Sequence, residues 1–204
     1  ELEPVGTNDV NIVWEWHLWD HLIQDIDPDL PNYGVISEHP ELQDINYGDA
    51  GGDGGPSGGT GDWKHFNAVA YNEDLDQIAL SSRFHDEIYI IDHSTTSEEA
   101  AGHTGGNSGM GGDYLYRWGN PQVYDRGSDL DRLLGDQHSV NWIPEGYPGA
   151  GNLILFNNNY GSNSAVFEIV TPINENGTYQ SGEGGTTPTF GVLADPNGMT
   201  VSEK

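Results

Sequence analysis

The chain has 204 residues, enough for one domain with a sizeable core or for part of a larger one. Its 33 acidic and 6 basic side chains leave a net charge of -27, which excludes nucleic acid and anionic lipid as partners, since both need cationic contacts. No run approaches the roughly 20 apolar residues of a membrane span, so no membrane insertion is expected, and a chain without cysteine has no disulfide or thiolate chemistry.

From Glu1, without an initiator methionine, the chain moves almost at once into a strand-like run at 11–16, which implies further sequence upstream. Trp14, Trp16 and Trp19 alternate with His17 and His21 in "VWEWHLWDH". Trp14 and Trp16 read as core, whereas His17, Trp19 and His21 read as the lining of an aromatic pocket able to hold a phenolic ring. A short helix is expected over Trp19–Asp25. Residues 26–61 form a Gly- and Asp-rich connection. Asp49, Asp53 and Asp62 could offer oxygen ligands to calcium there, although no known calcium-loop spacing is present and a solvated loop explains them too. No other cofactor is expected, and without an HExxH pattern no zinc chemistry is expected.

Strands follow at 66–71, 77–84, 87–92 and 114–118, rich in Val, Ile, Tyr, Phe and Trp and separated by turns at 72–77 and 85–87. After a short helix expected at Ser128–Leu134, further strands are expected at 139–143, 152–156 and 165–170. Each series begins at a histidine: Asp62-Trp63-Lys64-His65 leads the first and Gly135-Asp136-Gln137-His138 the second. The segments 13–20 and 116–124 read as equivalent closing strands. Repeated units of four short antiparallel strands point to an all-β fold; a two-sheet sandwich explains the strands equally well, but the repeated histidine-led start favours a β-propeller. The chain divides into a blade end at 1–25, the connection at 26–61, blades at 62–127 and 135–172, and a tail at 173–204. Two or three blades leave edges and faces open, so remaining blades or identical chains are expected to cover them.

Strand alternation sets His65 and Asn67 on one face, and the turn at 72–77 brings Arg83 back beside them. Imidazole, carboxamide and guanidinium together make a donor-rich patch for an oxyanion. The same residues also read as structure: His65 capping a strand, Asn67 satisfying a turn, Arg83 pairing with an acid. His138 stands one repeat later at the equivalent position, where a neutral imidazole can act as nucleophile, base or strand-entry hydrogen-bonding group.

"DWKHFNAVAYNEDLDQIALSSR" (62–83) and "GDQHSVNWIPEG" (135–146) resemble the active-site segments of the bacterial arylsulfotransferases. "VWEWHLWDHLIQD" (13–25), "EIYIIDHSTTSEEAAGHTGGNSG" (87–109) and "LYRWGNPQVYDRG" (115–127) extend the resemblance over roughly residues 11–172. It implies a six-bladed propeller and transfer of a sulfuryl group from an aryl sulfate to a phenolic acceptor, without a nucleotide sulfate donor. It implies His138 as the nucleophile that becomes sulfohistidine, with His65, Asn67 and Arg83 orienting the sulfuryl oxygens. A periplasmic or extracellular location is implied as well. Family members are longer, and a further active-site histidine is expected upstream of residue 1. The competing expectation is a non-catalytic extracellular propeller fragment that assembles with other chains.

Overall fold

The computed structural model describes residues 1–48, 62–175 and 179, together with the backbone of 199–202. Among these residues the fold is mostly β-sheet. An exposed antiparallel hairpin, β1 (Leu2–Val5) and β2 (Asp9–Ile12), is followed by a two-residue parallel pair, β3 (Leu22–Ile23) and β4 (Gln43–Asp44). Next comes an antiparallel meander of four strands in chain order: β5 (Phe66–Asn72), β6 (Gln77–Ser82), β7 (Glu87–Asp92) and β8 (Tyr116–Trp118). A second four-stranded antiparallel sheet contains β9 (His138–Trp142), β10 (Leu153–Tyr160), β11 (Asn163–Ile169) and β12 (Met199–Ser202). The expected strands at 66–71, 87–92 and 139–143 fall within a residue of those observed.

Every residue of β7 is buried, because both faces of the first sheet are covered. Ile88 and Ile90 pack with Trp118, Val140, Leu153 and Phe167 in a core shared by the two sheets. Tyr89 and Ile91, on the alternate face, pack with Leu80, Tyr114 and Tyr124 under the N-terminal Ile23 and Ile36. Burying each such side chain stabilises the fold by about 1.5–3 kcal/mol. The far face of the second sheet stays open, with Phe156 and Val166 exposed.

Several local expectations are corrected. Among the described residues segment 13–20 has no ladder partner and is not a closing strand; the Trp14 indole donates to Thr95 Oγ1 (3.2 Å) and the Trp16 indole to the Gly112 carbonyl (2.7 Å). The helix expected at Trp19–Asp25 is a single 3-10 turn at Leu18–Asp20 running into β3. That expected at Ser128–Leu134 is a 3-10 turn at Asp129–Asp131, closed by a reciprocal Ser128–Asp131 capping box. The second half of 116–124 is also a 3-10 turn, Pro121–Tyr124, because Pro121 has no ladder N–H and Asn120 caps it. Among the described residues one true helical turn, α1 (Ser97–Ala100), sits in the long β7–β8 loop.

Candidate active site

The two histidine-led strands are neighbours. β5 packs along β9, and the Asn67 amide donates to the Gln137 carbonyl at 2.8 Å. Both strands are irregular at entry: His65 has φ 48°, Asp136 φ 50° and Ser139 φ 61°, and register shifts fall beside Asn67 and between His138 and Asn141. Left-handed backbone at non-glycine residues costs of order 1–3 kcal/mol each and is typically kept where it aims a functional group. The bulge also removes the simple alternation expected to place His65 and Asn67 on one face.

Arg83 lies just beyond β6, in a 3-10 turn at Arg83–His85 rather than inside a strand. Its backbone N–H donates to the His65 carbonyl at 3.2 Å, so the hairpin does return Arg83 to the His65 end. His65 Nδ1 lies 2.5 Å from Asp62 Oδ2, and its half-buried ring packs against Phe84. A carboxylate there accepts the Nδ1 hydrogen, which leaves the Nε2 lone pair available as a proton acceptor.

Asp136 ties the second histidine to the guanidinium. Its carbonyl accepts from His138 Nδ1 at 2.8 Å, and its carboxylate accepts from Arg83 Nε at 2.9 Å. The Asn158 amide nitrogen lies 2.9 Å from the same Nδ1 and donates to the Asp136 carbonyl at 2.7 Å. In the tautomer with hydrogen on Nδ1, the Nε2 lone pair is the nucleophilic one, and Nε2 has no partner among the described residues. The Asp136 loop is itself held by the Asp86 carboxylate, which accepts from the Asp136 backbone N–H at 2.8 Å. Burial, opposed by that bond, holds the Asp86 carboxyl above the ordinary carboxylate range. Buried Gln137 braces the same strand entry by donating to the Ser82 and Glu87 carbonyls, each at 2.9 Å.

Beneath His65 lies a polar network that sequence reasoning missed. Lys64 is buried and donates to Gln43 Oε1 and Tyr89 Oη, both at 2.7 Å. Tyr89 donates to Glu87, whose carboxylate is gripped by Arg117 Nε (2.9 Å) and Nη2 (2.5 Å). Burial holds the Lys64 ammonium well below its ordinary value, although the Glu87 carboxylate opposes that shift. The scarcity of cations was the available signal: two of the six are fully enclosed here.

A cleft of about 560 Å³ opens beside this site, lined by Trp63, Asp62, Arg83, Asp86, Arg132 and Asp136 among others. His65, Asn67 and His138 stand outside its lining. Both arginines of the cleft are ion-paired, Arg83 with Asp136 and Arg132 with Asp86 and Asp129. The Arg83 terminal nitrogens have no partner among the described residues.

The structure does not gather His17, Trp19 and His21 into one pocket. His17 is exposed and pairs with Glu15, Trp19 is exposed and stacks on Trp63, and His21 is enclosed beside Asp113. Of the calcium candidates, Asp49 and Asp53 lie outside the described residues, and Asp62 is the partner of His65.

An all-β scaffold whose Asp136 turn holds both a half-buried histidine and a guanidinium, with His65 bonded through its carbonyl to that arginine's backbone, suits a nitrogen nucleophile acting on an oxyanion substrate. The chain belongs to the arylsulfotransferase (ASST) family, whose model matches residues 5–179. That family is one of transferases. A comparison with curated proteins gives no match.

Proposed function

We propose that this protein moves a sulfuryl group from an aryl sulfate to a phenol through a sulfohistidine at His138. The observation that carries the reading is Asp136, whose carbonyl lies 2.8 Å from His138 Nδ1 while its carboxylate holds Arg83. His138 Nε2 attacks sulfur, the N–S bond forms, and the S–O(aryl) bond breaks to release a phenolate. The Arg83 terminal N–H groups stabilise the sulfuryl oxygens as charge builds on them. An acceptor phenol then gives its proton to His65 Nε2, and its oxygen takes the sulfuryl group from His138. Asp62, on Nδ1, stabilises the resulting imidazolium. Asn67 acts by positioning, since its amide holds the Gln137 carbonyl next to the nucleophile.

The two larger sheets are proposed as adjacent blades of a six-bladed propeller, with β5 and β9 as inner strands. The exposed face carrying Phe156 and Val166 supports a further blade packing there. The described residues contain no helix long and apolar enough to cross a membrane. A periplasmic or extracellular location is proposed from the family. An assembling, non-catalytic propeller would not need Arg83 and His138 tied to one residue.

The test is to quench the full-length protein with donor and no acceptor, keeping the digest neutral or alkaline because sulfohistidine is acid-labile. One peptide, containing His138, should be heavier by a sulfuryl group, and His138→Ala should lose both adduct and turnover. Full transfer activity in His138→Ala, or an adduct on His65, would overturn the assignment.

A further inference from the structure

We propose that His21, His103 and Asp113 form a binding site for one divalent metal ion, with zinc as the best match. His103 and Asp113 share the β7–β8 loop, ten positions apart, and His21 comes from 92 positions before Asp113, where the N-terminal segment crosses that loop. His21 Nδ1 lies 2.7 Å from Asp113 Oδ1, and His103 Nδ1 lies 2.8 Å from the same oxygen. One donor atom from each residue falls within 4.8 Å of the other two.

The hydrogen count at His21 points to a cation. Its ring is fully buried, and Nε2 faces the Ala100 carbonyl at 2.9 Å while Nδ1 faces the Asp113 carboxylate. Both partners are acceptors, but a neutral imidazole has a single N–H. If Nε2–H bonds to the carbonyl, the Nδ1 lone pair confronts a carboxylate oxygen, and a cation between them resolves the repulsion. A ring that ligates a metal through one nitrogen and donates its other N–H to a backbone carbonyl is the usual arrangement around bound metals.

The surroundings hold this geometry. Trp16 stacks on the His21 ring at 5.6 Å, nearly parallel, and its indole is tethered to the Gly112 carbonyl. A Cβ at Gly112 would come 2.0 Å from the Ala100 oxygen and 2.7 Å from His21 Nε2, so only glycine permits this approach. His103, by contrast, is exposed, which leaves one side of the site open to a water ligand. A tetrahedral zinc ion with bonds of about 2.0–2.1 Å spaces its ligands about 3.3 Å apart. The contacts to Asp113 must therefore open by about 0.5 Å at the exposed His103, which can move, and by about 0.6 Å at the buried His21, where the Asp113 carboxylate has to turn. Two imidazoles and one carboxylate, without thiolate, form a nitrogen–oxygen set suited to zinc.

The β7–β8 loop leaves the sheet at Asp92, which pairs with Gln77 at the end opposite Arg83. The ion would thus clamp this loop to the N-terminal segment and take no part in sulfuryl transfer. Sequence spacing offered no hint of it.

The test is zinc titration by calorimetry of the full-length protein, made with a histidine-free tag and stripped by chelator. One equivalent should bind with micromolar or tighter affinity, and zinc should raise the melting temperature. His103→Ala should keep the fold, because that side chain is exposed, yet bind zinc at least about tenfold more weakly and lose the thermal shift. Cobalt in the same site should give a visible absorption band that Asp113→Asn removes. Absence of saturable zinc binding up to about 1 mM would overturn the proposal in favour of a His21 imidazolium paired with Asp113. Wild-type affinity in His103→Ala would overturn it as well.

Discussion

Replacing Arg83 by alanine separates what the guanidinium does for the fold from what it does for chemistry. Its pair with Asp136 spans 2.9 Å between side chains that are 29% and 33% exposed. A partly solvated pair of this kind contributes about 0.2–1 kcal/mol, so the variant should melt close to the wild type. The terminal nitrogens, by contrast, have no partner among the described residues, and the charge-assisted bonds proposed for them to sulfuryl oxygens are worth about 1.5–3 kcal/mol. At 1.36 kcal/mol per factor of ten, loss of those bonds slows adduct formation roughly 10- to 150-fold. Quenched-flow measurement of phenolate release from an aryl sulfate, with no acceptor present, reads that step directly. Calorimetric titration with inorganic sulfate should show weaker binding by a similar factor. Arg83→Lys should recover only part of the loss, since an ammonium cannot hold Asp136 and fork onto the anion together. Unchanged release rate and unchanged sulfate affinity in Arg83→Ala would refute the role given to this residue.

Other expectations concern the supporting structure. Arg117→Met strands the buried Glu87 carboxylate, and urea unfolding should show a loss of about 3–5 kcal/mol, partly recovered when Glu87→Gln is added. At Asp76, burial raises the carboxyl, but bonds from His93 (2.7 Å) and Tyr71 (2.9 Å) outweigh it and hold the group below its ordinary value. The unfolded state therefore binds more protons in that interval, so this stabilisation is present above the ordinary value of 3.8 and lost as pH falls through the depressed one. Asp76→Asn should flatten that acid limb in thermal melts followed by circular dichroism.

Local chemistry was legible where a segment's own residues decide its shape. The β7 run, Glu87–Asp92, was readable because β-branched and aromatic residues sit between turn formers. The Thr96–Glu99 capping box that starts α1 carries a readable signature as well. The segments at 19–25 and 128–134 misled because a few mixed polar and apolar residues suit a 3-10 turn as well as a helix. His65, Arg83 and His138 stood out by motif and by the scarcity of cations in so acidic a chain. Their relation did not, because Asp136 bonds Arg83 across 53 positions of sequence. The same holds for Lys64 with Tyr89, Glu87 with Arg117, and His21 with Asp113, contacts created when sheets pack and loops close. Sequence alone determined the residue types, the strand periods and the histidine-led repeat, since these depend on near neighbours along the chain. Which carboxylate meets which cation, and which imidazole nitrogen is left bare, was decided only in three dimensions. Hydrogen bonds and ion pairs act over about 3 Å, a distance that sequence separation does not encode.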